Sequence, residues 1–237
     1  MPRRYPKTIG GGRHVVFGEA TPVGVTPSAP WMQVCGSHHT FPRDLHLDKE
    51  LGLRVEIIPE LETLRVPGSH IKRNTAGETE PPPMALGSQC EITLTCRYDP
   101  STATDGGSSF GVDVLVSPDG EERLRVGFTD VPIRTAAPGL RMFVNHTKCC
   151  NRNTDALAED MNCNVTQNAP LPAIRAATNV TMKVLVDGGL IELYGMNAVA
   201  LTAIAAPSPD VPPEERVVVA FSTGRTLCDI QGWKLSM

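Results

Sequence analysis

Short runs that alternate apolar and polar residues recur along this chain, while helical periodicity is nearly absent, so most of the backbone must find its hydrogen bonds between strands. In residues 91–98, Ile92, Leu94, Cys96 and Tyr98 fall on one face and Thr93, Thr95 and Arg97 on the other, the pattern of a half-buried antiparallel strand. Residues 110–116 and 124–128 flank Ser117, Pro118, Asp119 and Gly120, where proline presets φ and glycine accepts a left-handed backbone. That spacing predicts a hairpin. A second is predicted where 182–186 meets 190–194 across Asp187, Gly188 and Gly189, with 199–205 as the next strand of a meander. Residues 217–221 and 231–235 supply two closing strands, whereas the best helical candidate, 153–161, is only about two turns long, too short to stand alone. Many short strands punctuated by glycine and proline make an all-β sandwich or barrel. Two stretches are expected to be loops: polar 69–83, and 206–215 with its four prolines.

Size and charge narrow the function. A chain of 237 residues with 41% hydrophobic content can bury a real core, as one large β domain or two smaller ones. The net charge is -4, and beyond Arg3 and Arg4 no basic block offers a stripe for phosphate backbones, so nucleic acid is not an expected partner. No run approaches the ~20 apolar residues of a membrane helix, and the polar, Gly-rich start lacks the apolar stretch of a signal peptide.

Cysteines and sequons point instead to the secretory route. Asn145, Asn164 and Asn179 each open an Asn-X-Thr acceptor site, and the first two lie close to Cys149, Cys150 and Cys163 in a chain of seven cysteines. His146 with these three cysteines has the ligand types of a zinc site, but beside sequons the favoured reading is disulfide formation, so no metal or cofactor is expected. Adjacent Cys149 and Cys150 are poorly disposed to bond each other, which makes Cys163 the nearest partner. Cys90, Cys96 and Cys228 complete the disulfide candidates, with Cys90 and Cys96 on one strand face able to bond elsewhere or simply fill core. Cys35 is then the odd thiol.

Phe41-Pro42-Arg43-Asp44-Leu45 followed by Pro59-Glu60-Leu61-Glu62-Thr63-Leu64-Arg65 is the first of three stretches that resemble glycoside hydrolase family 32, the invertase and fructan hydrolase family, and looks like the hinge between that family's two domains. Leu185-Val186-Asp187-Gly188-Gly189-Leu190-Ile191-Glu192-Leu193-Tyr194, then Val199 to Thr202, resembles its signature hairpin, with Gly189 where serine and Tyr194 where phenylalanine are usual. Gly12-Arg13-His14-Val15-Val16-Phe17-Gly18 is similar to the last strand of its five-bladed catalytic propeller, and Trp31-Met32-Gln33 to the segment before the hinge. The resemblance implies a two-sheet antiparallel β-sandwich of the concanavalin-like jelly-roll type over 69–237, an interdomain hinge over 37–68 and a propeller remnant over 1–36. It also implies that Val15, Val16 and Phe17 lack the strands that would cover them, and that the rest of the propeller is missing.

The family's chemistry is not in these residues. Retaining cleavage of a fructosyl bond needs two carboxyl groups about 5 Å apart, which the family places in W-M-N-D-P-N-G and E-C motifs assisted by R-D-P. None of these occurs here: Arg43-Asp44 precedes Leu45, Tyr98-Asp99-Pro100 lacks the arginine, and Cys90-Glu91 has the pair reversed. The resemblance therefore implies a module that braces the catalytic propeller of a secreted, extracellular or vacuolar enzyme acting on fructose-containing saccharides, and is inert alone. Arg43, Glu60 and Arg65 are expected to be hinge residues, with Arg43 and Glu60 holding the interdomain packing through charge-assisted hydrogen bonds. For Asp187 a turn role is favoured and for Glu192 a solvated strand face, over sugar or interdomain contact. His38, His39 and His46 flank Arg43 without an accompanying nucleophile and are expected to be exposed or backbone-bonded. An autonomous carbohydrate-binding or adhesion sandwich is the competing reading. Its mark would be aromatic platforms, and aromatics are only 5% of the chain, with Trp31 and Trp233 far apart in sequence.

Overall fold

The computed structural model describes residues 7–9, 13–20, 38–49, 52–75, 81–102, 107–132, 139–149, 166–174, 176–223 and 226–236. In chain order the strands are β1 (Lys7–Ile9), β2 (Arg13–Val16), β3 (Glu19–Ala20), β4 (His38–His39), β5 (Arg43–Asp48), β6 (Gly52–Ile57), β7 (Ile71–Asn74), β8 (Gln89–Tyr98), β9 (Ser109–Val116) and β10 (Leu124–Thr129). Then come β11 (Arg141–Asn145), β12 (Thr166–Pro170), β13 (Thr178–Asp187), β14 (Leu190–Gly195), β15 (Val199–Ile204), β16 (Val217–Ser222) and β17 (Cys228–Lys234). A 3-10 helix, Pro59–Leu64, separates β6 from β7, with proline at its start and Glu60 and Glu62 in its first turn.

Two antiparallel sheets form the sandwich: β15-β14-β13-β8-β17-β7, and β12-β11-β10-β9-β16. Their inner faces make one apolar core. Ile92, Leu94, Val180, Met182, Val184 and Ile230 from the larger sheet meet Phe110, Val112, Val126, Phe128, Met142 and Val144 from the smaller, all fully buried. The rings of Tyr98 and Phe110 approach to 6.3 Å across the gap, and Gly195 gives room to Met142, whose sulfur lies 3.0 Å from where a Cβ would stand.

The alternation in 91–98 becomes β8, paired on one side with β13 and on the other with β17. Both predicted hairpins form. Gly120 takes φ 74° in the β9–β10 turn and Gly188 φ 56° in the β13–β14 turn, the positions where an L side chain would be strained. Ile92, Leu94, Val112, Val114, Ile191 and Val218 are fully buried, while Leu201 is only half-buried on β15, which ends the sheet and has a strand on one side only.

Two expectations fail. Within 69–83, expected to be a loop, Ile71–Asn74 forms an edge strand on β17, with Ile71 and Arg73 half-buried and Lys72 and Asn74 outward. Its single large apolar residue suffices at a sheet edge, where one face needs little cover. The N-terminal strand is not alone. β2 lies between β1 and β5 in a four-stranded antiparallel sheet, β1-β2-β5-β6, and Val15 is buried there. One partner, β5, is made of the hinge residues themselves, whose alternation was hidden by the motif they carry, and the other is β1. Strands β11 and β12 were not legible in the sequence, since β12 reads Thr-Gln-Asn-Ala-Pro and holds its place by backbone pairing to β11. The helical candidate 153–161, Trp31, Met32, Gln33 and Cys35 lie outside the described residues.

Candidate functional site

Backbone register sets one row of side chains on the outer face of the six-stranded sheet: Thr202, Glu192, Leu185, Glu91 and Trp233, from β15, β14, β13, β8 and β17. Opposite partners in an antiparallel sheet project to the same side, so two glutamates stand on this face with a leucine between them. All three are buried. The small sheet and the 3-10 helix reach this face, adding half-buried Val55, Ile57, Leu61 and Leu64 to the apolar cluster.

Each glutamate meets an arginine from the N-terminal segment. Arg43, at the start of β5, donates from Nη2 to Glu192 Oε1 at 2.8 Å and to Thr202 Oγ1 at 2.5 Å, and from Nε to Tyr194 Oη at 3.2 Å. Tyr194 in turn donates its hydroxyl to Glu192 Oε2. Glu192 is therefore not the solvated strand residue expected from alternation, because the small sheet covers a face that would otherwise be wet. The tyrosine, where phenylalanine is usual, supplies a second donor to a carboxylate that is fully buried. Burial and the adjacent Glu192 charge hold the Tyr194 phenol well above its ordinary range. Burial opposes the charge on Arg43, but the hydrogen bond and charge of Glu192 outweigh it and hold the guanidinium above its usual value.

Arg65, just past the 3-10 helix, takes Glu91 in a bidentate grip, Nε to Oε2 at 2.8 Å and Nη2 to Oε1 at 2.7 Å. Its guanidinium lies 4.1 Å from the Trp233 ring centroid, and His70 stacks on the same indole at 4.7 Å. Arg13 of β2 adds an outer contact, bonded to Asp44 at 2.9 Å and to both oxygens of Glu60 at 2.6 and 3.1 Å. Backbone bonds run alongside, from Val55 N to Asn197 O at 3.1 Å, Val66 N to Lys234 O at 2.8 Å and Ser236 N to Leu64 O at 2.9 Å. Met196 and Asn197, both at positive φ, turn β14 into β15 and present that Asn197 carbonyl to β6.

This constellation holds elements together. Cleavage with retention needs one free carboxylate and one carboxylic acid facing an open sugar site, whereas Glu91 and Glu192 are buried and each is engaged by a cation. Sequence reasoning missed Glu91 because its reversed Cys-Glu order invited comparison with an enzyme motif; the usable signal was its place in the alternation of 91–98, on the face opposite Ile92.

The remaining candidates are scattered. Asn179 is exposed on β13, Asn145 is half-buried at the end of β11 with Oδ1 accepting from Thr147 N at 2.9 Å, and Asn164 lies outside the described residues. Cys96 and Cys228 form a disulfide across the facing β8 and β17. Cys90 is a buried free thiol, which corrects its place among the disulfide candidates: on β8 it faces Lys234 and Val186, and burial pushes its pKa up to about 12. Cys149 is buried beside buried His146, with its thiol also raised to about 12 by burial, while Cys150 and Cys163 are outside the described residues. Among the described residues no three metal-ligating side chains cluster. Asp187 accepts from Gln89 Nε2 at 2.9 Å, Asp99 accepts from Ser101, His46 lies 3.9 Å from Glu56 and His39 is exposed.

A further arginine–glutamate pair has no counterpart in the sequence reading. Arg216 and Glu122 meet at 2.9 Å, both essentially inaccessible. Glu122 also accepts from Ser208 N at 3.0 Å, and Arg216 donates to the carbonyls of Leu115 and Ser208 at 2.9 and 2.8 Å. Leu115 takes φ 56° within β9 where the register to β16 shifts, turning its carbonyl toward Arg216. This network pins the proline-rich 206–215 loop to the β9–β10 turn.

Comparison with known families decides the relationship. The family described as "Glycosyl hydrolases family 32 C terminal" matches residues 60–234, most of the chain. The chain belongs to this family. Among solved structures, fructan 1-exohydrolase IIa from Cichorium intybus is similar over 95% of this chain and 46% of its own, with TM-score 0.69 and 16% identity. Exo-inulinase from Aspergillus awamori is similar over 94% and 40%, with TM-score 0.69 and 16% identity. Sucrose-6-phosphate hydrolase from Lactobacillus gasseri covers 97% and 40%, with TM-score 0.65 and 13% identity. At such identities the likeness is one of fold, and this family 32 chain spans less than half the length of each enzyme. No curated protein matches its sequence.

Proposed function

We propose that this family 32 module braces a catalytic propeller domain of a β-fructofuranosidase-like enzyme and has no hydrolytic activity alone. The observation that carries the reading is the pair of buried arginine–glutamate grips, Arg43 on Glu192 and Arg65 on Glu91, which tie the N-terminal sheet and 3-10 helix to the outer face of the sandwich. Four antiparallel strands, β1-β2-β5-β6, are also the size of one propeller blade. On this reading the small sheet belongs to the catalytic side, residues 37–68 act as the hinge, and the grips fix the two domains in one orientation. The parent's substrate would be a fructose-containing saccharide, in keeping with the resemblance on which the reading rests. The Cys96–Cys228 disulfide and exposed Asn179 in its sequon support a secreted or vacuolar glycoprotein. Among the described residues no helix is long and apolar enough to cross a membrane.

The autonomous sugar-binding reading gains little support, because the Trp233 ring already carries the Arg65 guanidinium and the His70 imidazole. The test is reconstitution. The chain alone should release no fructose from sucrose or inulin above a heat-killed control. Fused behind a family 32 propeller it should yield an active enzyme, and R43A in that fusion should lower the melting temperature of the whole. Fructose release by the chain alone would overturn the reading.

A further inference from the structure

A hollow at one end of the five-stranded sheet is lined, among the described residues, by Arg123, Arg125, Asn145, Thr147 and Lys148. It is remote in sequence from both arginine–glutamate grips. Every one of these side chains can donate a hydrogen bond, three are cations, and no carboxylate is in the lining among the described residues. Beneath them lies Asp113, with only 7% of its side chain exposed, which orients both guanidinium groups. Arg125 grips it through Nε at 2.7 Å and Nη2 at 2.9 Å, and Arg123 Nε stands 3.2 Å away. The Phe221 ring supports the Arg125 guanidinium at 4.2 Å, and Arg123 Nη1 donates to Gly120 O at 2.8 Å. Backbone bonds fix the opposite wall: Arg123 N donates to Lys148 O at 2.9 Å and Cys149 N to His146 O at 2.9 Å. Asn145 Oδ1 accepts from Thr147 N, which leaves the Asn145 amide hydrogens as its free polar edge.

Among the described residues, after these bonds the lining still offers Arg125 Nη1, Arg123 Nη2, the Lys148 ammonium, the Asn145 amide and the Thr147 hydroxyl. Asp113 pairs with two of the three cations. We propose that this hollow binds a tetrahedral oxyanion, a phosphate or sulfate that is either free or esterified to a sugar. The arginines are held in place before any ligand arrives, so little rotamer entropy is lost on binding, and guanidinium donors suit the tetrahedral oxyanion geometry.

The experiment uses the full chain from a host that adds no N-glycan, since a glycan on Asn145 would fill the hollow. Melting temperature and calorimetric titration are followed with inorganic phosphate, inorganic sulfate and glucose 6-phosphate, against chloride at matched ionic strength. Phosphate or sulfate should bind saturably and raise the melting temperature beyond chloride. K148E should weaken binding at least tenfold, and T147V, which leaves every cation in place, should weaken it by a smaller factor. Tighter binding of glucose 6-phosphate than of phosphate would identify an esterified ligand, and equal binding a free anion. A response that fails to saturate, matches chloride or is unchanged in K148E would overturn the proposal. Circular dichroism of both variants, expected to match the parent, separates loss of binding from loss of fold.

Discussion

At the scale of single residues, the most consequential side chain is Glu192, because nothing about its neighbours in sequence announces burial. A carboxylate without water must be met by donors, and here Arg43, Tyr194 and Thr202 supply them. E192A should therefore destabilise the chain by about 3–5 kcal/mol, the usual cost of leaving a buried charge without its partner. Y194F, which restores the ring usual in the family and removes one donor, should cost about 1–2 kcal/mol. Chemical denaturation midpoints at constant slope check both. A double-mutant cycle on Arg43 and Glu192 should give a clear coupling energy, and additivity would show that the grip contributes nothing beyond packing.

At the scale of elements, the strand most dependent on others is β17. It comes last in sequence yet sits inside the larger sheet between β8 and β7, so the sheet closes only when the C-terminal segment inserts. The Cys96–Cys228 disulfide spans 132 residues and ties β17 to β8 at facing positions. Replacing both cysteines by serine should lower stability by about 2–5 kcal/mol, through the longer reach of the unfolded chain, and a reductant should lower the melting temperature of the parent but not of that variant. The same strand holds β7 at the edge. Hydrogen exchange should find the β8 and β17 amides slow and the β7 amides faster, because β7 has a partner on one side only.

For the whole molecule, pH gives a test that draws on the core rather than on any one contact. Burial raises the Cys90 thiol to about 12 and also raises the Tyr194 phenol, while Tyr98 is raised to about 12 by burial and by Asp130. A group whose folded pKa lies above its unfolded value keeps its proton longer in the native state, so the unfolded chain holds fewer protons in that window. The contribution of these groups to stability should be level below pH 9 and fall as pH rises from about 9 toward 12, by about 1.4 kcal/mol per pH unit for each group in its window. Cys90 should also resist alkylation at pH 8 until the chain is unfolded. The small sheet offers a second whole-molecule check: Val15 on β2 pairs with Lys7 and Asp44 and is buried, so its amide should exchange as slowly as those of the sandwich edges. Rapid exchange there would mean that the grips on Glu192 and Glu91 do not hold the small sheet in place.

What the sequence decided by itself is the local geometry. Period-two alternation with glycine at the positive-φ corners was enough for β8, for both hairpins and for the all-β class, since these depend on residues within a few positions of one another. The motifs around Arg43 and Glu192 also pointed to the family, though not to their contact. Which glutamate meets which arginine, which cysteine finds Cys96, and whether β2 has neighbours were decided only by the tertiary structure. Each of these joins residues far apart along the chain, Arg43 to Glu192 by 149 positions and Cys96 to Cys228 by 132. A solvated strand face and a face covered by another sheet carry the same alternation, and only the arrival of the covering element turns a wet glutamate into a buried anchor.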